Sequence, residues 1–243
     1  LAGINFLRLY QAVLQRRPGV VGRDQEIRLY VVLLVVGSVL LLAELLGSGI
    51  ESGEEAVRHA VFQATSIMTT AGFASADYTT WGSLAALTLL TLMFVGASAG
   101  STGGSIKVVR HLLMGKLFRR ELEQVVHREA VIPIRLSGST VDERMLRSVA
   151  GFIVIYVVIL ALGSIGLVIE SRRGGIDVQA FEAIGAAAAA LGNVGPAFGF
   201  AGPLGSYAPF SDVSKGILIA LMWLGRLEIL PVVVLLTRTY WRA

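Results

Sequence analysis

Two short glycine loops constrain this chain most, because each follows an apolar segment too short to cross a bilayer and precedes a longer one. The first loop is Thr69-Thr70-Ala71-Gly72-Phe73, and the second loop is Gly192-Asn193-Val194-Gly195-Pro196. The segments before them, about 54 to 68 and 178 to 191, fall short of the roughly 20 apolar residues that a spanning helix needs. They predict half-helices that enter a membrane and return. Irregular backbone at that depth is tolerated only where it is buried in protein or lines water.

The composition and the apolar runs predict a multi-span membrane protein. Hydrophobic residues make up 54% of the chain, and the mean hydropathy is +0.71, above the roughly half-apolar norm of soluble domains. Long apolar runs lie at about 29 to 47, 84 to 95, 149 to 169 and 215 to 237. The second is too short alone, so we interpret it as one broken span that resumes after a glycine-rich interruption. The chain opens at Leu1 without a basic leader, which suggests a piece of a longer protein.

Side-chain catalysis and metal chemistry find little support in the composition. The chain has no cysteine, which excludes disulfides and thiolate metal sites, and its three histidines lie at no ligand spacing. No nucleophile and base are placed together at membrane depth. We therefore expect a protein that is not an enzyme and has no covalent cofactor.

Arginine and lysine are distributed unevenly along the chain. The regions before 29, between 107 and 147, and after 237 hold 16 of the 21. Cytoplasmic segments of membrane proteins are enriched in these residues. We therefore expect both termini of this fragment and its central segment to be cytoplasmic, with both glycine loops entering from outside.

The chain contains one unit twice, in the order span, half-helix, glycine loop, span. Aligning Gly72 on Gly195 gives an offset of 123 residues. Both units run in the same direction, which predicts parallel repeats about an axis along the membrane normal. The expected fold is an all-α integral membrane protein. We divide it into an entry segment at 1–28, a first unit at 29–115, a cytoplasmic basic loop at 116–147 and a second unit at 148–243.

The two loops have the chemistry of a cation pathway. A cation that leaves water needs oxygens in place of its hydration shell, and backbone carbonyls supply them without a buried formal charge. Glycine helps to turn consecutive carbonyls toward one axis, because it reaches left-handed conformations at little cost. The half-helices add the partial negative charge of their C-terminal ends. The predicted ion ligands are the carbonyls of Thr70, Ala71, Gly72, Asn193, Val194 and Gly195.

A simpler interpretation treats Gly72 and Gly195 as ordinary helix C-caps in surface turns, where glycine is common. For one loop alone this interpretation would suffice. Two loops in register, each after a segment too short to cross and before a span, favour the cation pathway.

A glycine-rich segment, residues 96–104, interrupts the second span. It contains Gly96, Gly100, Ser101, Thr102, Gly103 and Gly104. Its spacing does not fit a phosphate-binding loop, which needs Lys-Ser or Lys-Thr after its glycines. A broken membrane helix leaves backbone groups unpaired, and Arg226 on the last span can donate to them. The segment is therefore either a mobile obstruction latched by Arg226 or a static break that Arg226 satisfies.

The remaining charges have ordinary explanations beside functional ones. Topology and lipid headgroups account for the basic stretch between 107 and 128, and a second hypothesis is that it docks a soluble regulator. Acidic residues near the loops could enrich cations or cap helices, since Ser52 to Glu55 fits a capping box. We expect membrane lipid as a partner and no nucleic acid.

Four strings in order resemble the C-terminal half of the Trk-type potassium transporters, in the superfamily that includes the Ktr and plant HKT proteins. They are SIMTTAGF at 66–73, AGSTGGSIKVVR at 99–110, LGNVGP at 191–196 and LGRLEILPVVVLLTRTYWR at 224–242. The resemblance covers essentially the whole chain. Ser105 and Ala197 depart from it, because many relatives have glycine there.

The resemblance implies a homodimer whose subunits each have four pore-loop repeats, with the third and fourth in this chain. Gly72 and Gly195 would be filter glycines, the glycine-rich segment an intramembrane gate, and Arg226 its partner. Potassium would be the transported ion. The implied partners are the N-terminal half of the same transporter and a cytosolic nucleotide-binding regulatory subunit. The implied location is the bacterial inner membrane.

The alternative from another class is a secondary transporter coupled to sodium or protons, in which parallel repeats and broken helices also occur. It predicts intramembrane carboxylates for coupling. Glu228 is the one good candidate, and it lies past the filter near the cytoplasmic side. Passive, channel-like potassium uptake is the leading expectation.

Overall fold

The chain is mostly helical in the residues described by this computed structural model, which are 3–16, 19, 22, 24–227, 229 and 241. The helices are α1 Phe6–Val13, α2 Gln25–Ser48, α3 Gly53–Met68, α4 Ser83–Val95, α5 Val108–Val126, α6 Glu143–Arg173, α7 Ala180–Gly192 and α8 Asp212–Arg226. Two short 3₁₀ turns, Tyr78–Thr80 and Gly199–Ala201, follow the glycine loops.

Helices α2 and α6 are, among the described helices, the two that are long and apolar enough to cross a membrane. They have 24 and 31 residues. At about 1.5 Å per residue both exceed the roughly 30 Å hydrocarbon core of a bilayer. Their outward faces expose apolar side chains such as Val35, Val39, Val158 and Ile165. Exposed apolar surface of this extent marks contact with lipid or with further protein.

Helices α3 and α7 are shorter, and each packs inside a triplet of helices. They have 16 and 13 residues, which makes them about 24 Å and about 20 Å long. Helix α3 contacts α2 and α4, and α7 contacts α6 and α8 in the same way. The triplets α2–α4 and α6–α8 meet where α4 packs against α7. Both glycine loops begin at the ends of these short inner helices.

Small residues allow the helices of each triplet to approach closely. In the first triplet Gly37 of α2 faces Leu92 of α4, and in the second Gly163 of α6 faces Leu221 of α8. A Cβ atom added at Gly163 would lie 2.8 Å from the nearest Leu221 methyl carbon, and one added at Gly37 would lie 2.9 Å from that of Leu92. The same glycine-to-leucine contact therefore joins the first and third helices of both triplets.

The segment predicted as a cytoplasmic basic loop, residues 116–147, contains a helix and a short hairpin. Helix α5 extends into it, and β1 (Arg135–Leu136) pairs antiparallel with β2 (Ser139–Thr140). Ser137 and Gly138 at the turn both have positive φ, 47° and 95°, as a two-residue hairpin turn requires. The fold is thus mostly helical, and the Ser-Gly pair closes one short hairpin within it.

The N-termini of the two short inner helices differ in how they are capped. The capping box expected at Ser52 to Glu55 does not form, since Ser52 makes no side-chain cap hydrogen bond. A capping box forms instead at α7, between Gln179 and Glu182. Helix α8 is described to Arg226, and the predictions for Glu228 and for the rest of the last span lie outside the described residues.

We predict that Gly163→Leu lowers the apparent melting temperature of the full-length protein in detergent. The new side chain overlaps Leu221, and overpacking of this kind costs about 1–3 kcal/mol. Gly151→Leu is the matched control, because it lies on the same helix and an added Cβ there meets nothing within 4 Å. Equal melting temperatures for the two variants would show that the α6–α8 contact does not constrain the fold.

Candidate functional site

The first loop, residues 69–73, is held by Ser66 on the last turn of α3. The Ser66 carbonyl accepts a hydrogen bond from the Ala71 N–H at 2.9 Å, and its hydroxyl donates to the Phe73 carbonyl at 2.5 Å. Thr70 and Gly72 both have left-handed φ values, 56° and 74°. Among the described residues nothing donates a hydrogen bond to the carbonyls of Thr70, Ala71 and Gly72. These oxygens are available to a ligand.

The second loop, residues 192–196, has related geometry. Asn193 and Gly195 have φ values of 53° and 114°, and the Val194 N–H donates to the Ala189 carbonyl at 2.9 Å. Within the described part of the chain, the Asn193 and Val194 carbonyls accept no hydrogen bond. The Gly195 carbonyl differs, because the Tyr207 hydroxyl donates to it at 2.8 Å. Burial raises the pKa of Tyr207, so its hydroxyl keeps the proton that it donates.

The two loops lie against each other. A Cβ at Gly72 would overlap the Val194 carbonyl oxygen, so only glycine permits this approach. Tyr78, which is fully buried, donates from its hydroxyl to the Ala197 carbonyl at 3.0 Å and packs edge-on against Phe198. A side chain of the first triplet thereby fixes the backbone just after the second loop. The two loops thus contact each other at Gly72 and the Val194 carbonyl.

The interpretation of Gly72 and Gly195 as helix C-caps is wrong. Thr69 caps α3, and Asn193 caps α7 in a left-handed conformation. Gly72 and Gly195 lie beyond these caps, where their positive φ values shape the loops themselves. The structure also corrects one predicted loop residue, because Gly192 belongs to the last turn of α7. Its small size still matters, since a Cβ there would lie 3.0 Å from the Ser105 hydroxyl oxygen.

The glycine-rich segment, residues 96–104, lies directly against both loops. Its Gly104 N–H donates to the Thr70 hydroxyl oxygen at 2.9 Å. A Cβ at Gly104 would overlap the Gly192 carbonyl oxygen, and one at Gly103 would lie 3.3 Å from the Thr69 carbonyl oxygen. Side chains at these two glycines would therefore push the segment away from the loops.

Several residues in and beside the segment have left-handed backbone conformations. Gly96 and Gly100 have φ values of 68° and 70°, and Ser105 just after the segment has a φ of 67°. The Ser105 hydroxyl donates to the Met93 carbonyl. Serine thus occupies a left-handed position for which glycine is better suited. The hydrogen bond from the Ser105 hydroxyl explains how this chain accommodates serine at a position where many members of the family that it resembles have glycine.

Arg226 contacts the segment from α8. Its guanidinium Nη1 donates to the Thr102 carbonyl at 3.2 Å. A cavity of about 180 Å³ borders this contact and is lined by Ser101, Thr102, Ser105, Tyr156 and Arg226, among others. Arg226 therefore contacts the break in the second span, as the sequence predicts, through a hydrogen bond to the Thr102 carbonyl.

Three side chains of the site were missed by reasoning from sequence. They are Thr70 as acceptor for the segment, Tyr78 as the bridge between triplets and Tyr207 as donor to Gly195. The signal for the tyrosines was weak, because both lie several residues past a loop. Among the described residues, no group of three acidic, histidine or cysteine side chains could hold a metal ion. The ligand atoms that the two loops offer are backbone oxygens.

Comparison with known proteins gives a consistent result. The family model TrkH, described as a cation transport protein, matches residues 26–241. The Trk system potassium uptake protein TrkH of Halomonas elongata is 40% identical over 189 residues, which is 77% of this chain and 37% of that protein. The TrkH protein of Salmonella typhimurium is 34% identical over all of this chain and 49% of its own length.

A solved structure is also similar to the chain. The crystal structure of the potassium transporter TrkH from Vibrio parahaemolyticus matches with a TM-score of 0.88 and 33% identity, covering 99% of this chain and 50% of that one. The chain thus spans about half the length of the relatives that it matches.

Proposed function

The chain belongs to the TrkH family of cation transport proteins, and from this premise we propose that it forms half of a potassium uptake pore in the bacterial inner membrane. In this proposal the triplets α2–α4 and α6–α8 are the third and fourth pore-loop repeats of a four-repeat subunit. The similar proteins of Halomonas elongata and Salmonella typhimurium are named potassium uptake proteins. The exposed apolar faces of α2 and α6 fit lipid and the N-terminal half of the same transporter.

The observation that carries the proposal is the set of free carbonyls on two loops in contact. The first loop contacts the second where Gly72 approaches the Val194 carbonyl oxygen. Among the described residues no group donates a hydrogen bond to the carbonyls of Thr70, Ala71, Gly72, Asn193 and Val194. Such oxygens can replace the hydration shell of a potassium ion. The loops begin at the C-terminal ends of α3 and α7, which add partial negative charge. Two further loops from the N-terminal half would complete the ring.

The glycine-rich segment acts in this proposal as the gate of the pore. It lies against both loops through Gly103 and Gly104, which is where an obstruction of a pathway between them would sit. Arg226 latches it through one hydrogen bond to the Thr102 carbonyl. A single bond of this kind contributes about 0.5–3 kcal/mol, which is weak enough to break during opening. A cavity beside the segment gives it room to move.

We also propose the partners that the resemblance implies. They are a second copy of the subunit and a cytosolic nucleotide-binding regulator, with both ends of this fragment on the cytoplasmic side. In this proposal the regulator docks on residues 116–147, whose elements are held together by side-chain contacts. Lys116 donates to the Arg135 carbonyl and to the Gln25 side chain, and Arg120 pairs with Glu143. The helix α5, the hairpin and the start of α6 are thereby joined.

An ion-coupled secondary transporter is the less favoured function. Its coupling candidate, Glu228, lies outside the described residues. The free carbonyls at the loops need no carboxylate to hold a cation, and the similar proteins are named for potassium uptake. A stoichiometric requirement for sodium or protons during uptake would restore this alternative.

We predict that Gly195→Ser in the full-length protein lowers rubidium uptake at least tenfold or removes its preference over sodium. Gly195 has a φ of 114°, which strains any other residue, while an added Cβ meets nothing within 4 Å. The loss would therefore come from reoriented carbonyls, with strain of about 1–3 kcal/mol. Uptake is measured in potassium-starved cells that lack other potassium transporters.

Gly216→Ser is the matched control for this variant. Gly216 lies on α8, has no positive φ, and an added Cβ there also meets nothing within 4 Å. Unchanged uptake and ion preference in Gly195→Ser, at equal membrane levels, would mean that the second loop has no part in conduction.

We predict that Arg226→Ala raises rubidium uptake roughly tenfold at equal membrane level, because the closed position of the gate loses a hydrogen bond from a charged donor. Lys215→Ala on the same helix is the control. Lys215 makes only a surface ion pair with Asp212, and such pairs are worth little. Reduced or unchanged uptake in Arg226→Ala would assign Arg226 to a static helix break.

A further inference from the structure

The glycine-rich segment is held on a second side by a buried glutamate. Glu26 lies in the first turn of α2 and is only 8% exposed. Its carboxylate Oε1 accepts a hydrogen bond from the Ala99 N–H at 2.5 Å, and the carboxylate also faces the Val109 N–H in the first turn of α5. Ala99 lies within the glycine-rich segment, and Val109 lies in the helix that follows it. One carboxylate thus joins the segment to the start of α5.

The neighbours of Glu26 fix its position. Asp24, also 8% exposed, accepts from the Glu26 N–H at 2.8 Å and so caps α2. The same side chain forms an ion pair with Arg8 of α1 at 2.9 Å. A buried carboxylate is costly unless donors and positive charge surround it. The start of α2 is therefore built to present Glu26 to the segment.

Backbone contacts from the entry segment hold the same part of the loop. The Ser98 N–H donates to the Gly3 carbonyl at 3.0 Å, and the Phe6 N–H donates to the Gly100 carbonyl at 3.2 Å. Together with Glu26 they restrain residues 98–100. The Thr102 carbonyl, two residues further on, is bound by Arg226 from α8. Besides its contact with Thr70, the segment is thus bound at residues 98–100 and at Thr102, by elements from different parts of the chain.

We propose that Glu26 is a positioning residue for the gate, whose carboxylate holds residues 98–100 while Arg226 holds Thr102. This inference rests on the proposed function of the segment as a gate. Closure then requires both anchors, and loss of either frees the segment from the loops. Ion preference does not depend on Glu26, because Ala99 and Val109 contribute nothing to the two loops.

The test uses Glu26→Gln in the full-length protein. Glutamine keeps the size of the side chain but removes the charge, and its amide offers one acceptor oxygen where the carboxylate offers two. We expect rubidium uptake to rise roughly tenfold, the shift in a closed-to-open equilibrium when a charge-assisted hydrogen bond is weakened. The ratio of rubidium to sodium uptake stays unchanged. Glu170→Gln is the control, because Glu170 lies near the end of α6, where it pairs with Arg173, and undergoes the same chemical change.

A second readout reports the position of the segment directly. In a Ser101→Cys background, made in a version of the protein without other cysteines, modification by a cationic thiol reagent applied from the cytoplasmic side should be faster with Glu26→Gln. A residue that only supports the fold would not produce both faster modification and unchanged ion preference. If Glu26→Gln does not reach the membrane, Glu26→Asp replaces it, since the shorter carboxylate keeps its charge but withdraws from Ala99. The same rise in uptake is expected.

The outcomes separate this inference from the gate itself. Raised uptake with faster thiol modification supports Glu26 as an anchor. If Arg226→Ala raises uptake but the Glu26 variants do not, the gate stands and the role of Glu26 is overturned. If neither residue changes uptake or modification, the glycine-rich segment is not a gate, and both proposals fall.

Discussion

The structure depends on one constraint, which is that a backbone carbonyl or amide inside a membrane must find a partner. The chain breaks its helices at three places in the described residues, after α3, within the interrupted span and after α7. Some of the freed groups there are bound by side chains and backbone nearby, as Ser66 binds the backbone of the first loop. Both loops also keep carbonyls that accept no hydrogen bond from the described residues, at Thr70, Ala71, Gly72, Asn193 and Val194. These oxygens are available to a cation.

The loops resemble each other in backbone shape but differ in support. Gly195 has its carbonyl bound by the Tyr207 hydroxyl, whereas Gly72 in the first loop has no such donor among the described residues. The first loop instead contacts the glycine-rich segment through the Thr70 hydroxyl. An ion between the loops would therefore contact a second loop supported by Tyr207 and a first loop that is bound to the glycine-rich segment. This asymmetry connects the proposed filter to the proposed gate.

Sequence reasoning placed the long helices, the short inner helices and the pairing of Arg226 with the broken span, because apolar length and glycine position determine these locally. It failed at the hairpin around Ser137 and Gly138, where four strand residues give too short a pattern to read. It also missed Glu26, Tyr78 and Tyr207, which act on residues 73, 119 and 12 positions away in the chain. Such contacts arise from how the helices pack, and no local pattern encodes them.

The central claim is that a cation binds between the loops on backbone oxygens. The most direct measurement is anomalous diffraction from crystals of the full-length protein grown with thallium, a heavy substitute for potassium. The account predicts a thallium peak in contact with the carbonyls of Gly72 and Val194, lost when excess potassium competes. A peak only at acidic side chains outside the loops, or none between them at saturating thallium, would contradict it.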